Sequence, residues 1–398
     1  MYSRRMPIIE LAEYGPDFLA DPYPYYAKLR EEGPVHEVRA PDGYRFWLIV
    51  GYAEGRSALT DSRLVKARDT MATSEASPLG KHVLIADPPD HTRLRKLISR
   101  EFTVRRVDNL RPRIQELTDD LLDAMLPAGR ADLVEALARP LPIAVLCELL
   151  GVPNADRDEF HSWAKGILAP QNPTETHTAV KALMSYLDDL IEDKRRGEPT
   201  GDLLSGLIRT SIENGDRLSS EEVRSTAFLL MIAGHETTAN LISNGTRALL
   251  THRDQLDLLR SDMDLLDGAV EEMLRYDGSL ESTTKRFTSV PVQIGDTVIP
   301  PGETVLVSLA SADRDPANFD DPDRFDIRRG TPAGVGHLAF GHGIHYCLGA
   351  SLARAEGRIA FRALLERCPD LELDPEAPPF EWMPGVLVRG VQRLSLRW

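Results

Sequence analysis

From residue 219 to residue 250 apolar side chains return every third or fourth position, the period of an α-helix. Nine shorter segments repeat the pattern, at 88–100, 105–126, 132–150, 155–166, 177–196, 202–212, 254–260, 263–276 and 350–367. Strand-like runs, rich in β-branched or aromatic residues and bounded by Gly, Pro or Asp, are fewer, at 44–50, 290–299, 303–309 and 386–396. Length alone would allow two or three domains, but no internal repeat or low-complexity stretch divides the 398 residues. The one linker-like segment, 194–201, reads as a helix-to-helix loop. The predicted fold is therefore mainly α with small β-sheets, a single domain over residues 1–398.

A hydrophobic share of 42% and a charged share of 27% describe an ordinary globular protein. No apolar stretch approaches the roughly 18 residues of a membrane-spanning helix, and Arg4-Arg5 has no apolar segment behind it. A cytoplasmic protein without membrane contact is expected. Cysteines at 147, 347 and 368 are odd in number and widely spaced, which argues against a disulfide framework and suits a reducing compartment. Cys147, in an apolar run, reads as core. The net charge of −15 argues against nucleic-acid binding. Residues 91–113 nevertheless carry seven Arg and one Lys against Glu101 and Asp108, so one face of an acidic protein is basic.

Three stretches carry chemistry. In Phe340-Gly341-His342-Gly343-Ile344-His345-Tyr346-Cys347-Leu348-Gly349, glycines allow tight turns and leave space for a large flat ligand. Cys347 falls just before a helix, where free N–H groups favour a thiolate that can bind iron. Zinc is the rival, with His337, His342 and His345 nearby, but the spacing fits no usual zinc site; a satisfied cysteine in a turn is the bland alternative. In the long helix, Ser219 and Glu222 have capping-box spacing, and the polar insert Gly234-His235-Glu236-Thr237-Thr238 is expected to loosen the helix. Ala233 and Thr237 share a face there, with Glu236 about 100° away. The alternative is a kink with a solvated Glu. Asp87-Pro88 reads as a helix start with Asp87 as cap, placing His91 and Arg95 on one face to clamp a carboxylate. Glu272 and Arg275 stand close enough to pair.

The string Phe-Gly-x-Gly-x-His-x-Cys-x-Gly resembles the haem-ligand loop of the cytochromes P-450. Ala233 to Thr238 is similar to that family's oxygen-activation motif, and Asp-Pro-Pro-Asp-His-x-x-x-Arg to its propionate-binding helix. Glu272-x-x-Arg275 with Asp321-Pro322-Asp323-Arg324-Phe325 resembles its Glu-x-x-Arg helix and meander. The resemblance implies the cytochrome P-450 fold, with haem b (iron protoporphyrin IX) between the long central helix and the cysteine-loop helix. It implies Cys347 as the iron ligand, Ala233, Phe340, Gly341 and Gly349 against the cofactor, and His91, Arg95, Arg286 and His345 toward the propionates. Glu236 and Thr237 would be catalytic, and Glu272, Arg275 and Arg324 a structural triad.

The implied activity is a bacterial, actinomycete-like monooxygenase that inserts one oxygen atom from O2 into a hydrophobic small molecule, in macrolide- or polyketide-like secondary-metabolite tailoring. Neither a flavin fingerprint nor an iron–sulfur cysteine cluster is present in the sequence, which implies a separate ferredoxin and ferredoxin reductase. The basic helix would steer the ferredoxin, and the enzyme would be a monomer. A peroxygenase or redox-neutral haem enzyme and a non-catalytic haem sensor are the alternatives; the Glu236-Thr237 pair speaks against the first. By family location the substrate would meet the segments 66–86 and 163–182, with Val83, Leu84, Phe228, Leu229, Ile232, Ala233, Leu280, Thr283, Val386 and Leu387.

Overall fold

The computed structural model of the protein describes residues 8–67, 82–153, 156–168, 173–198, 200–210, 217–329 and 336–398. The expectations placed on residues 1–7, on most of 66–86, on part of 163–182 and on the helix ends at 155 and 211–212 lie outside them.

The helix Ser220–Thr251 is the axis of the fold. Its start is the capping box: the Ser219 hydroxyl accepts from the Glu222 amide at 3.1 Å, and Glu222 Oε2 accepts from the Ser219 amide at 2.8 Å. Helices Pro140–Leu150, Pro173–Arg196, Leu266–Tyr276 and Ala350–Arg367 pack around it. Gly245 permits a close approach of two of these helices. A Cβ there would lie 2.5 Å from Phe361 Cζ and 2.7 Å from Met273 Sδ. Helical geometry runs unbroken through 233–238, so the expected loosening does not occur.

Two other helix expectations are corrected. The segment 132–150 divides into a π-helix, Val134–Ala138, and the α-helix Pro140–Leu150, because Pro140 has no N–H to continue the ladder. The helix expected at 88 starts at Asp90, since the Asp87 carboxylate does not cap it. It accepts instead from the amides of Lys66 at 2.9 Å and Ala67 at 2.8 Å.

The strands are β1 (Ile9–Glu10), β2 (Val35–Arg39), β3 (Arg45–Ile49), β4 (Leu64–Val65), β5 (Arg130–Asp132), β6 (Arg286–Thr288), β7 (Val292–Ile294), β8 (Thr297–Ile299), β9 (Thr304–Val307), β10 (Glu372–Leu373) and β11 (Ser395–Arg397). They form one six-stranded sheet, ordered β1-β2-β3-β9-β6-β4, a three-stranded sheet β10-β11-β5 and the hairpin β7-β8. The expected strand at 386–396 is reduced to isolated bridges, Leu280 with Val388 and Trp382 with Val391, ahead of β11. Buried Arg389 explains this. Its guanidinium reaches Asp277 at 2.6 Å and the Leu19 carbonyl at 3.0 Å, so the segment ties three parts of the chain together rather than extending a ladder.

Candidate active site

The cysteine loop is bent by Gly341 and Gly343, both left-handed with φ of 72° and 74°. At Gly343 a Cβ would also come within 2.9 Å of the Leu59 carbonyl oxygen. The Cys347 amide donates to Phe340 O at 2.9 Å and the Gly341 amide to Leu338 O at 2.7 Å, which pins the turn. The chain then enters Ala350–Arg367, at the boundaries read from the sequence. Cys347 is exposed as a residue, yet the atoms packed around its sulfur desolvate the thiol and push it up, and amides of Gly349 and Ala350 with the charges of Arg95 and Arg354 offset this only in part. The helix start therefore does not by itself hold a free thiolate; a coordinated metal cation would deprotonate the thiol.

The loop is braced from behind. The Arg354 guanidinium lies 4.5 Å from the Phe340 ring centroid and donates to Glu271 at 2.6 and 2.7 Å. His337 Nε2 is 3.1 Å from the same carboxylate. Burial would raise Glu271, but these hydrogen bonds outweigh it and hold the carboxyl at about 2. Among the described residues no group of three His, Cys, Asp or Glu could hold a metal ion, so the zinc alternative has no ligand set there.

Beside the cysteine loop, basic side chains converge. The His91 and His345 rings lie 4.4 Å apart. His91 is 2% exposed and Arg286 4%, yet among the described residues neither ring nitrogen of His91 nor Nε of Arg286 has a hydrogen-bond partner. Burial and then Arg95 lower His91; burial and then Lys66, His91, Arg286 and Arg95 push His345 down to about 3. Buried imidazole and guanidinium nitrogens left without acceptors, beside the charges of Arg95 and Lys66, fit a ligand that brings carboxylates. Together with a thiol beside turns that carry no side chains, this donor set fits an iron porphyrin. Lys66, which sequence reasoning placed only at the edge of a substrate loop, joins the cluster.

On the central helix Ala233 is exposed and Thr237 half-buried, and the Thr237 hydroxyl donates to Ala233 O at 2.7 Å. Glu236 is 6% exposed and neither of its carboxylate oxygens accepts a hydrogen bond. Burial raises it, with the Arg139 charge opposing and Glu135 adding. The solvated glutamate of the kink alternative is thereby excluded.

The residues assigned by location to the substrate are mixed in exposure. Val83 and Phe228 are buried, Leu84, Leu229, Ile232, Leu280, Thr283 and Val386 are half-buried, and Leu387 is exposed. The segments 280–283 and 386–388 do meet, through the Leu280–Val388 bridge and the Ser282 hydroxyl donating to Val386 O.

Two charge assignments change. The triad contains Glu272 and Arg275, which pair at 2.7 and 2.8 Å and are 2–3% exposed, but its third cation is Arg329 rather than Arg324. Arg329 Nε reaches Glu272 at 3.2 Å. The Arg324 side chain is 61% exposed, and only its carbonyl serves the cluster, accepting from Arg275 at 3.2 Å. The basic stretch is also largely neutralised: Arg93 pairs with Glu222, Arg106 with Glu101, Arg111 with Asp108 and Arg113 with Glu148. Lys96, Arg100 and Arg105 are exposed and form no ion pair among the described residues.

A family model described as Cytochrome P450 matches residues 143–261 and 257–393. The chain is 56% identical over 397 residues to cytochrome P450 monooxygenase PikC of Streptomyces venezuelae, covering 98% of this chain and 94% of the relative. It is 44% identical over 396 residues to 6-deoxyerythronolide B hydroxylase of Saccharopolyspora erythraea, covering 96% of each. The ligand-free structure of the P450 monooxygenase TamI superposes with a TM-score of 0.91 at 46% identity, over 99% of this chain and 95% of that one.

Proposed function

The chain belongs to the cytochrome P450 family of haem-thiolate monooxygenases, and we propose that it inserts one oxygen atom from O2 into a hydrophobic, polyketide-type small molecule during secondary-metabolite tailoring. We read haem b as its cofactor and a ferredoxin with its reductase as its electron source, in a single-domain, monomeric, cytoplasmic protein. Among the described residues no helix is long and apolar enough to cross a membrane. The observation that carries the reading is the basic cluster at the cysteine loop, in which buried His91, its ring 4.4 Å from that of His345, and Nε of Arg286 lack hydrogen-bond partners among the described residues.

When bound, the haem supplies oxygen binding and electron transfer. Cys347 would give its thiolate to the iron, and His91, Arg95, Arg286 and His345 would hold the carboxylates. Ala233, Phe340, Gly341 and Gly349 leave room for the ring. Glu236, raised by burial, keeps a proton to higher pH than an ordinary carboxyl. Thr237 passes that proton on: its hydroxyl, bonded to Ala233 O, donates toward the pocket when it turns from that carbonyl. The half-buried apolar side chains of Leu84, Leu229, Ile232 and Leu280 suit a hydrophobic substrate.

A macrolactone panel screened for a low- to high-spin shift, then turned over with ferredoxin, reductase and 18O2, tests the reading. One labelled oxygen is expected in the product; an unlabelled product would defeat it. In the same assay Thr237→Ala should bind substrate within about twofold of wild type but divert reducing equivalents to peroxide, with product per electron pair falling ~100-fold. Unchanged coupling would remove Thr237 from the proton path.

We place ferredoxin docking on the exposed cations Lys96, Arg100 and Arg105. Lys96→Glu should slow ferredoxin-driven reduction ~10-fold at low ionic strength, converge with wild type at high salt, and leave peroxide-driven turnover alone. Arg93 is unsuited to this test because its partner Glu222 caps the central helix. Equal reduction rates at low salt would move the docking face elsewhere.

A further inference from the structure

Strands β4 and β6 are antiparallel, with Leu64 opposite Thr288 and Val65 opposite Phe287. One step further in that register sets Lys66 opposite Arg286, on the same side of the sheet. Both are buried, at 7% and 4% exposure. Directly opposed like charges destabilise a sheet, and burial makes an unmatched charge costlier still. Nothing described relieves them fully. The Lys66 ammonium donates to Thr284 Oγ1 at 2.6 Å and to the carbonyls of Thr284 and Lys285 at 3.2 Å, all neutral acceptors. Asp87 bonds the Lys66 amide rather than its ammonium. Among the described residues Arg286 reaches only the Leu64 carbonyl, at 3.4 Å, and its Nε has no hydrogen-bond partner. Burial and then Arg286 lower the lysine to about 7, and the Asp87 charge opposes them only in part.

We propose that Lys66 is a further cofactor-holding residue, its ammonium sharing one haem carboxylate with Arg286 while Thr284 positions it. This rests on the haem reading above. The two long carbonyl contacts are those a carboxylate oxygen would replace, and the strong one to the Thr284 hydroxyl remains as the anchor. Sequence gave no sign of this role, because the opposition of Lys66 and Arg286 exists only in the register of two short strands more than two hundred residues apart.

The test compares wild-type, Lys66→Met and Lys66→Arg holoenzymes for haem release to excess apomyoglobin and for haem reduction potential. Lys66→Met is expected to release haem ~10-fold faster, with a more negative potential, and Lys66→Arg to restore both. Lys66→Gln carries the same expectation should the methionine variant not fold. Wild-type release and potential in the uncharged variant overturn the assignment. So does faster release at unchanged potential without rescue by arginine, which would mark Lys66 as a scaffold residue only. A wild-type protein whose ferrous carbonyl complex lacks the red-shifted Soret band of thiolate ligation fails the haem reading itself, before Lys66 is at issue.

Discussion

Replacing Cys347 with serine is expected to remove the red-shifted Soret band of the ferrous carbonyl complex and to abolish turnover, while the far-ultraviolet circular dichroism stays that of the wild type. The fold survives because the turn is held by backbone: Cys347 N to Phe340 O and Gly341 N to Leu338 O persist without the sulfur. The spectrum does not, because an alcohol is neither as soft nor as readily ionised as a thiol. Cys147 and Cys368 are buried elsewhere and cannot substitute. A wild-type spectrum in the serine variant would take Cys347 out of the site.

Removing the Glu272 carboxylate should destabilise the protein strongly. Arg275 and Arg329 share it, and the Asp326 amide donates to it at 2.9 Å. Glu272→Ala leaves a buried guanidinium uncompensated, at a cost of ~3–5 kcal/mol. The measurement is the urea midpoint at constant slope. Arg324→Ala is the control: its side chain is in solvent and its carbonyl is kept, so it should stay within about 0.5 kcal/mol of wild type. A larger loss at Arg324 than at Glu272 would reverse the assignment of Arg329 as the third cation.

That exchange shows which part of the protein was legible before its structure. Helix Ala350–Arg367, the capping box at Ser219 and the strand Arg45–Ile49 announce themselves through spacing within a few residues. The candidate thiolate at Cys347 lies inside such a local pattern, whereas the roles expected of Glu236, Thr237, His91 and Arg95 rest on the family resemblance, because Glu-Thr-Thr and His-x-x-x-Arg by themselves occur as readily in kinks and surface pairs. Arg329 and Arg324 are both arginines in one meander, and only the fold decides which side chain turns inward. Strand Leu64–Val65 has two residues and no periodicity to detect. Val35–Arg39 alternates weakly and owes its place to the five-residue register with Arg45–Ile49. The segment 386–396 has strand composition, but the buried Arg389 draws it into cross-links that composition does not encode.

Glu271 reaches forward 66 residues to His337 and 83 residues to Arg354. A ribosome therefore finishes the helix Leu266–Tyr276 well before either partner exists. The central helix and His91 are older still in the life of the nascent chain, and Arg286 follows ten residues after Tyr276. The loop that bears Cys347 is among the last parts to be made, and its brace is complete only when Arg354 has followed it out of the exit tunnel. On the proposed haem role, cofactor capture falls at the end of translation, and a chain stalled between Arg286 and the cysteine loop holds His91, Arg95 and Arg286 without the thiol.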